Sequence, residues 1–154
     1  MSSDQLIRRE VVILVADDDD GHARLIEKNL TRVGLHNEIV RFANGQEILD
    51  FLFRRGDGRK RAPDTSYLLL LDIRMPKVDG VEVLRQLKQD PELRKIPVSM
   101  LTTTDDPREV ERCHSLGCSN YLVKPVDYDK FAEAITQLGL FISLVQVPGI
   151  SNAE

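Results

Sequence analysis

Tryptophan is absent from this 154-residue chain, aromatic residues make up 5% of it, and cysteine occurs twice. Cys113 and Cys118 stand as C-x4-C, which matches neither a redox CxxC nor half of a zinc site. Two reduced, buried or half-buried thiols and a cytoplasmic setting are the expectation. A basic excess is also missing. The net charge of −4 offers no footing for nucleic acid or an anionic membrane surface. No apolar run approaches the ~20 residues of a membrane span, and the N-terminus lacks the basic-then-apolar pattern of a secretory signal. No strand-like run leads into a Gly-rich or hydroxyl-rich phosphate loop, which disfavours a nucleotide- or flavin-binding domain.

What remains is an ordinary globular composition, 42% hydrophobic and 30% charged, of a length that suits one domain with a single core. Apolar runs and helical patterns alternate along it. Strands are expected at 11–16, 38–42, 67–72, 96–101 and 120–123. Helices are expected at 21–33 (closed by Gly34), from an Asn44 cap to about 54, at 81–89, at 107–116 (ended by Gly117), and from about Tyr128 onward. Five such βα units predict an α/β fold, a flavodoxin-like (βα)5 doubly wound parallel sheet in strand order 2-1-3-4-5.

The stretch 68–80, LLLLDIRMPKVDG, is the most telling. Four leucines without polar alternation fit a strand buried on both faces, and they end abruptly in Asp72. A second apolar strand ends in Asp17-Asp18-Asp19-Asp20. In the order 2-1-3-4-5, strands one and three are neighbours, so Asp17 and Asp18 come beside Asp72 at the carboxyl ends of the strands. Such a cluster suits a cation with oxygen ligands. The fourth strand ends in Thr102 and the fifth in Lys124-Pro125. Carboxylates, a hydroxyl and an ammonium on one rim suit phosphoryl transfer to a carboxylate, with Asp72 as nucleophile and a divalent ion bridging carboxylate and phosphoryl oxygens. Asp19 and Asp20 are read as solvent-facing or capping, and His22, His36 and His114 as simply exposed.

Taken together, Asp17-Asp18, Asp72 with Met75-Pro76 and Asp79-Gly80, Thr102 and Lys124-Pro125 resemble the receiver domain of two-component response regulators, over roughly residues 10–145. The resemblance implies that Asp72 is a phosphoacceptor served by a histidine kinase. It implies that Mg²⁺ is held by the side chains of Asp18 and Asp72 and the backbone carbonyl of Arg74, with Asp17 acting through a water. It implies that Thr102 and Lys124 bind the phosphoryl group, that Pro125 follows a cis peptide bond, and that Tyr121 is a switch aromatic. Thr103 stands where the family usually has a very small residue, and its methyl group is expected to narrow access to Asp72. The implied organisation is an N-terminal tail at 1–9, a receiver at 10–146 and a C-terminal tail at 147–154.

The long segment 55–66, the run Phe51-Leu52-Phe53-Arg54-Arg55-Gly56 and Thr102-Thr103-Thr104 are similar to the small regulators paired with bacterial and cyanobacterial phytochromes, which implies a red/far-red-sensing kinase as partner. The basic run at 54–61 is read as a solvated loop. On the last helix, Phe131, Ile135, Leu138, Ile142 and Val145 share one face that covers the sheet. Leu140, Phe141 and Leu144 lie off it, and with Val147, Pro148 and Ile150 they amount to more apolar surface than one domain buries. A homodimer through the last helix and C-terminal tail, with possible exchange of the tail, is the expectation.

The reading is of a stand-alone receiver that signals by protein contact rather than an enzyme with a separate substrate. The alternative is a relay intermediate that hands its phosphoryl group to a histidine phosphotransfer protein. A Mg²⁺-dependent phosphatase with an aspartyl nucleophile is the different-class alternative. Those enzymes need an acid two residues after the nucleophile, where this chain has Arg74, which cannot donate a proton at neutral pH.

Overall fold

The computed structural model describes residues 11–151; the expected N-terminal tail at 1–9 and residues 152–154 lie outside them. Five strands form one parallel sheet: β1 (Val12–Ala16), β2 (Ile39–Phe42), β3 (Tyr67–Leu71), β4 (Val98–Thr102) and β5 (Asn120–Val123). Their order is β2-β1-β3-β4-β5, as expected. Five α-helices join them: α1 (Asp20–Arg32), α2 (Gly45–Leu52), α3 (Gly80–Gln89), α4 (Pro107–Leu116) and α5 (Tyr128–Leu144), with a 3-10 turn at Leu93–Lys95 before β4.

The four leucines of β3 explain the layering. A strand turns successive side chains to opposite faces. Leu69 and Leu71 therefore pack with Ile48, Leu49, Val83, Leu84 and Cys113 beneath α2, α3 and α4. Leu68 and Leu70 pack on the other face with Leu25, Ile26 and Leu30 of α1 and Phe131, Ile135, Leu138 and Ile142 of α5. Each helix starts on a side-chain cap. Asp19 accepts from the His22 N–H, Asn44 from Glu47, Asp79 from Glu82, Asp106 from Arg108, and Asp127 from Asp129 and Lys130. Asp19 thus takes the capping role that was open to it. Gly117, at φ 105°, ends α4 in the left-handed region that a Cβ disfavours.

Three expectations need correction. No described peptide bond is cis, so Lys124-Pro125 is trans. Trans is the lower-energy form even before proline, and the Lys124 N–H that bonds the Thr102 carbonyl at 2.7 Å aims the side chain without it. The apolar C-terminus is not surplus surface throughout, because the tail docks on its own chain. Ile150 is buried, its N–H bonding the Thr65 carbonyl at 3.1 Å, and the Ser66 hydroxyl reaches the Val147 carbonyl at 3.1 Å. Nor is the basic loop fully solvated. Arg61 is buried, donating to the Leu52 carbonyl at 2.9 Å and the Ser151 carbonyl at 3.3 Å, so it ties the end of α2 to the tail.

The core face of α5 is as expected, with Phe131, Ile135, Leu138 and Ile142 buried and Val145 half-buried, while Leu140, Phe141 and Leu144 stand exposed. Among the described residues, no helix is long and apolar enough to cross a membrane.

Candidate functional site

The sheet's hydrogen bonds run one residue past the strand ends and seat the polar residues there. The Asp17 N–H bonds the Phe42 carbonyl at 3.0 Å, Asp72 the Ala16 carbonyl at 2.9 Å, and Lys124 the Thr102 carbonyl at 2.7 Å. Each bond ties a chemical residue to the neighbouring strand, so β1, β3, β4 and β5 deliver their ends to one rim. Asp17, Asp72, Thr102 and Lys124 are all buried there, whereas Asp18 is exposed at the mouth.

Lys124 is the electrostatic centre. Its Nζ lies 2.6 Å from Asp17 Oδ2 and 3.1 Å from Asp72 Oδ2. The second oxygen of each carboxylate is held by backbone: Asp17 Oδ1 accepts from the Asp19 N–H at 2.9 Å, and Asp72 Oδ1 from the Ile73 N–H at 2.7 Å. Burial pushes the Asp17 carboxyl above the usual range against the pull of Lys124, with Asp72 adding to the rise. Thr102 Oγ1 is buried and no protein group hydrogen-bonds it, so the hydroxyl is available to a ligand or water at the rim.

Ligand oxygens of Asp17, Asp18 and Asp72 all lie within 4.8 Å of one another. Three hard carboxylate donors answered by one ammonium fit a small divalent cation, which takes oxygen ligands and offsets their repulsion. Arg74, whose carbonyl was the further expected ligand, sits in the exposed loop after β3, and Thr103 is exposed as well. Tyr121 is half-buried. Its hydroxyl donates to the Thr104 carbonyl at 2.8 Å, and burial pushes the phenol up to about 12. The switch candidate is thus bonded to the loop after β4 rather than to Thr102.

Against this geometry, the sequence profile of the response regulator receiver domain matches residues 13–136. The chain belongs to the response regulator receiver family. A solved receiver domain from Rhodospirillum rubrum is 45% identical, with a TM-score of 0.85 over 92% of this chain and 99% of that one. The phosphorylated cyanobacterial phytochrome response regulator RcpA is 28% identical, with a TM-score of 0.79 over 92% of this chain and all of that one. A probable methanogenesis regulatory protein, FilR2 of Methanothrix harundinacea, is 35% identical over 82% of this chain and 80% of its own length.

Within the receiver, sequence reasoning missed two residues. Arg41 on β2 donates to the Asp17 carbonyl through Nε and Nη2, at 3.3 and 2.9 Å, and pairs with Asp20. It fixes the β1–α1 loop from the neighbouring strand, and the one signal for it was a cation inside an otherwise apolar strand. His22, read as a bystander, is half-buried with Nδ1 3.0 Å from Lys124 Nζ. Nothing local in the sequence predicts that contact, which spans 102 positions. His36 and His114 are exposed as expected. Both cysteines are free and buried, and burial pushes the Cys113 thiol up to about 11, so it stays protonated.

Proposed function

We propose that this receiver accepts a phosphoryl group from a histidine kinase on Asp72, with Mg²⁺, and passes the signal on by protein contact in the cytoplasm. The observation that carries the reading is the partnerless buried Thr102 hydroxyl on the rim that also holds the Lys124–Asp72 pair. A phosphoryl group on Asp72 brings in acceptor oxygens that a hydroxyl and an ammonium can bind together. Residues 10–146 are taken as the receiver unit and 147–154 as its tail.

Asp72 attacks phosphorus with one carboxylate oxygen, and the bond from phosphorus to the donor's imidazole nitrogen breaks with its electron pair left on that nitrogen. The Ile73 N–H and Lys124 hold the two carboxylate oxygens at 2.7 and 3.1 Å and fix the line of attack. Lys124 and Thr102 then donate to the phosphoryl oxygens as charge gathers there. Mg²⁺ would be held by Asp18 and Asp72, with the Arg74 carbonyl and, through water, Asp17, and would supply neutralisation of the negative charge gathered at the site. Recruitment of Thr102 toward the phosphoryl group couples to Tyr121 through the loop that carries Thr104. The kinase is proposed to be a phytochrome kinase, on the likeness to RcpA together with the long 55–66 loop.

Acetyl phosphate with Mg²⁺, followed by intact mass, tests the acceptor. The wild type is expected to gain one phosphoryl group, and chelation or Asp72→Asn to abolish the gain. An adduct that survives Asp72→Asn, or none on the wild type, overturns the assignment. A phosphoryl group that moves onward to a histidine phosphotransfer protein would make the chain a relay intermediate.

The exit surface is proposed to be α5. Leu140, Phe141 and Leu144 are exposed, and a groove of about 350 Å³ between β5 and α5, lined by Tyr121, Val123, Leu138 and Phe141, adjoins them. A homodimer that buries these side chains gains roughly 1.5–3 kcal/mol for each one fully covered. Cutting the chain within α5 would remove the buried Ile142 and Ile150, so the test uses surface changes instead. Leu140→Ser, Phe141→Ser and Leu144→Ser together are expected to convert a dimer to a monomer by light scattering, and to lower the melting temperature and remove its dependence on protein concentration. A wild-type monomer, or an unchanged dimer in the variant, would sink the α5 interface.

A further inference from the structure

His22 stands at the phosphoacceptor site without a part in the chemistry above. The Asp19 cap accepts the His22 N–H at 3.0 Å and so fixes the residue in the first turn of α1. From there the half-buried ring packs against Phe131 of α5, ring centres 5.3 Å apart. Its Nδ1 lies 3.0 Å from Lys124 Nζ and 3.7 Å from Asp19 Oδ2.

An ammonium has three N–H donors and no acceptor. The contact with His22 therefore has one sense. Lys124 donates, Nδ1 accepts with its lone pair, and the neutral ring carries its proton on Nε2. The other two N–H groups go to Asp17 at 2.6 Å and Asp72 at 3.1 Å, so every donor of Lys124 is engaged. Two of the three partners, Asp17 and His22, are not the phosphoacceptor. One anchored N–H already fixes the rotation of an ammonium about its Cε–Nζ bond, so what the His22 contact adds is a further attachment that holds Nζ itself, at the end of a flexible four-carbon stem, 3.1 Å from Asp72 Oδ2. Without it Nζ is held by the two carboxylates alone, and once the Asp72 bond is exchanged for one to a phosphoryl oxygen the flexible stem keeps Asp17 as its one anchor among these partners.

We propose that His22 is a positioning residue for Lys124: its Nδ1 accepts one N–H of the ammonium and so holds Nζ within reach of Asp72 and of the phosphoryl group that arrives there. This rests on the phosphoacceptor reading of Asp72. His22 acts through Lys124 and touches neither substrate nor the reacting atoms.

Two variants separate the acceptor from the ring. His22→Phe keeps an aromatic ring against Phe131 and removes the acceptor. His22→Asn gives up the ring and presents an amide oxygen where Nδ1 stood. With acetyl phosphate and Mg²⁺, His22→Phe is expected to take up phosphoryl groups roughly five- to tenfold more slowly, the loss of one charged hydrogen bond that aims a group. His22→Asn should return to within about twofold of wild type, because the acceptor is restored. Nitrogen-15 NMR of histidine-labelled wild type, at mildly alkaline pH, should show Nδ1 bare and Nε2 protonated. Phosphorylation of the wild type with His22→Phe equally fast, slow rates in both variants, or the opposite tautomer each overturns the positioning role and leaves Asp72 as acceptor. Failure of the wild type to gain any phosphoryl group overturns the acceptor reading, and the role of His22 with it.

Discussion

Lys124→Met will destabilise the fold by about 3–5 kcal/mol in magnesium-free buffer at neutral pH, and the loss will shrink on acidification. The single ammonium answers two buried carboxylates, at 2.6 Å and 3.1 Å. Removing one partner of a buried charge pair leaves an uncompensated charge, which costs far more than the pair contributes net. Methionine fills much of the lysine's volume, so cavity formation adds little. The sign of the pH dependence follows from Asp17. Burial already raises its carboxyl above the unfolded value, and Lys124 is the main influence opposing that rise. Without the lysine the carboxyl moves higher still. The native state then binds its proton more readily than the unfolded chain does, and stability increases as pH falls from neutral toward the raised value. Mg²⁺ should recover part of the loss in the variant and raise the wild-type melting temperature too, since a ligand at 100 times its Kd adds about 2.7 kcal/mol. Thermal melts at two pH values, with Mg²⁺ or chelator, read all of this. A variant as stable as wild type at neutral pH without metal would show that water, not Lys124, satisfies the carboxylates.

Gly80→Ala will be nearly as damaging, for a steric reason. A Cβ on Gly80 would lie 2.0 Å from the Asp72 carbonyl oxygen and 2.9 Å from Ile73 Cα. Neither is the tip of a flexible side chain, so the start of α3 must move off the end of β3. That shift breaks the bond from the Gly80 N–H to the Ile73 carbonyl, now 2.7 Å, and loosens the burial of Val81 and Leu84. Overpacking of this kind costs about 3 kcal/mol or more, a melting temperature lower by roughly 10 °C in a domain of this size. The backbone displaced is that of Asp72 and Ile73, so uptake of phosphoryl groups from acetyl phosphate should fall alongside stability. A variant with unchanged melting temperature would mean that α3 is not held against the end of β3.

The fold was legible because hydrophobic period and punctuation agreed at every element. The leucines of 68–71 fit a strand buried on both faces, and Asn44, Gly34 and Gly117 marked helix ends. The rim was legible for a related reason. In a parallel sheet the residue after each strand lands at one edge, so Asp17, Asp72 and Lys124 needed only the strand order to meet. What sequence could not supply were contacts made by long side chains across the fold. Arg41 bonds a carbonyl 24 positions away, Lys124 meets His22 across 102, and Arg61 reaches Ser151 across 90. Their destinations depend on packing that no local pattern encodes. The tail was misjudged for the opposite reason: its apolar residues were counted as surplus, although the long 55–66 loop offered the surface that receives Ile150.

The docking of that tail sets the polarity of the whole molecule as a device. Thr65 and Ser66, which hold it, immediately precede β3, and Asp72 immediately follows β3. Five strand residues at about 3.3 Å each separate the two, some 17 Å along the sheet. A fluorophore or affinity handle attached at Ser151 therefore sits toward the pole opposite the acidic pocket. Such a handle leaves the rim of Asp17, Asp72 and Lys124 unobstructed, while a label on Asp19, whose backbone N–H bonds Asp17, would stand beside it.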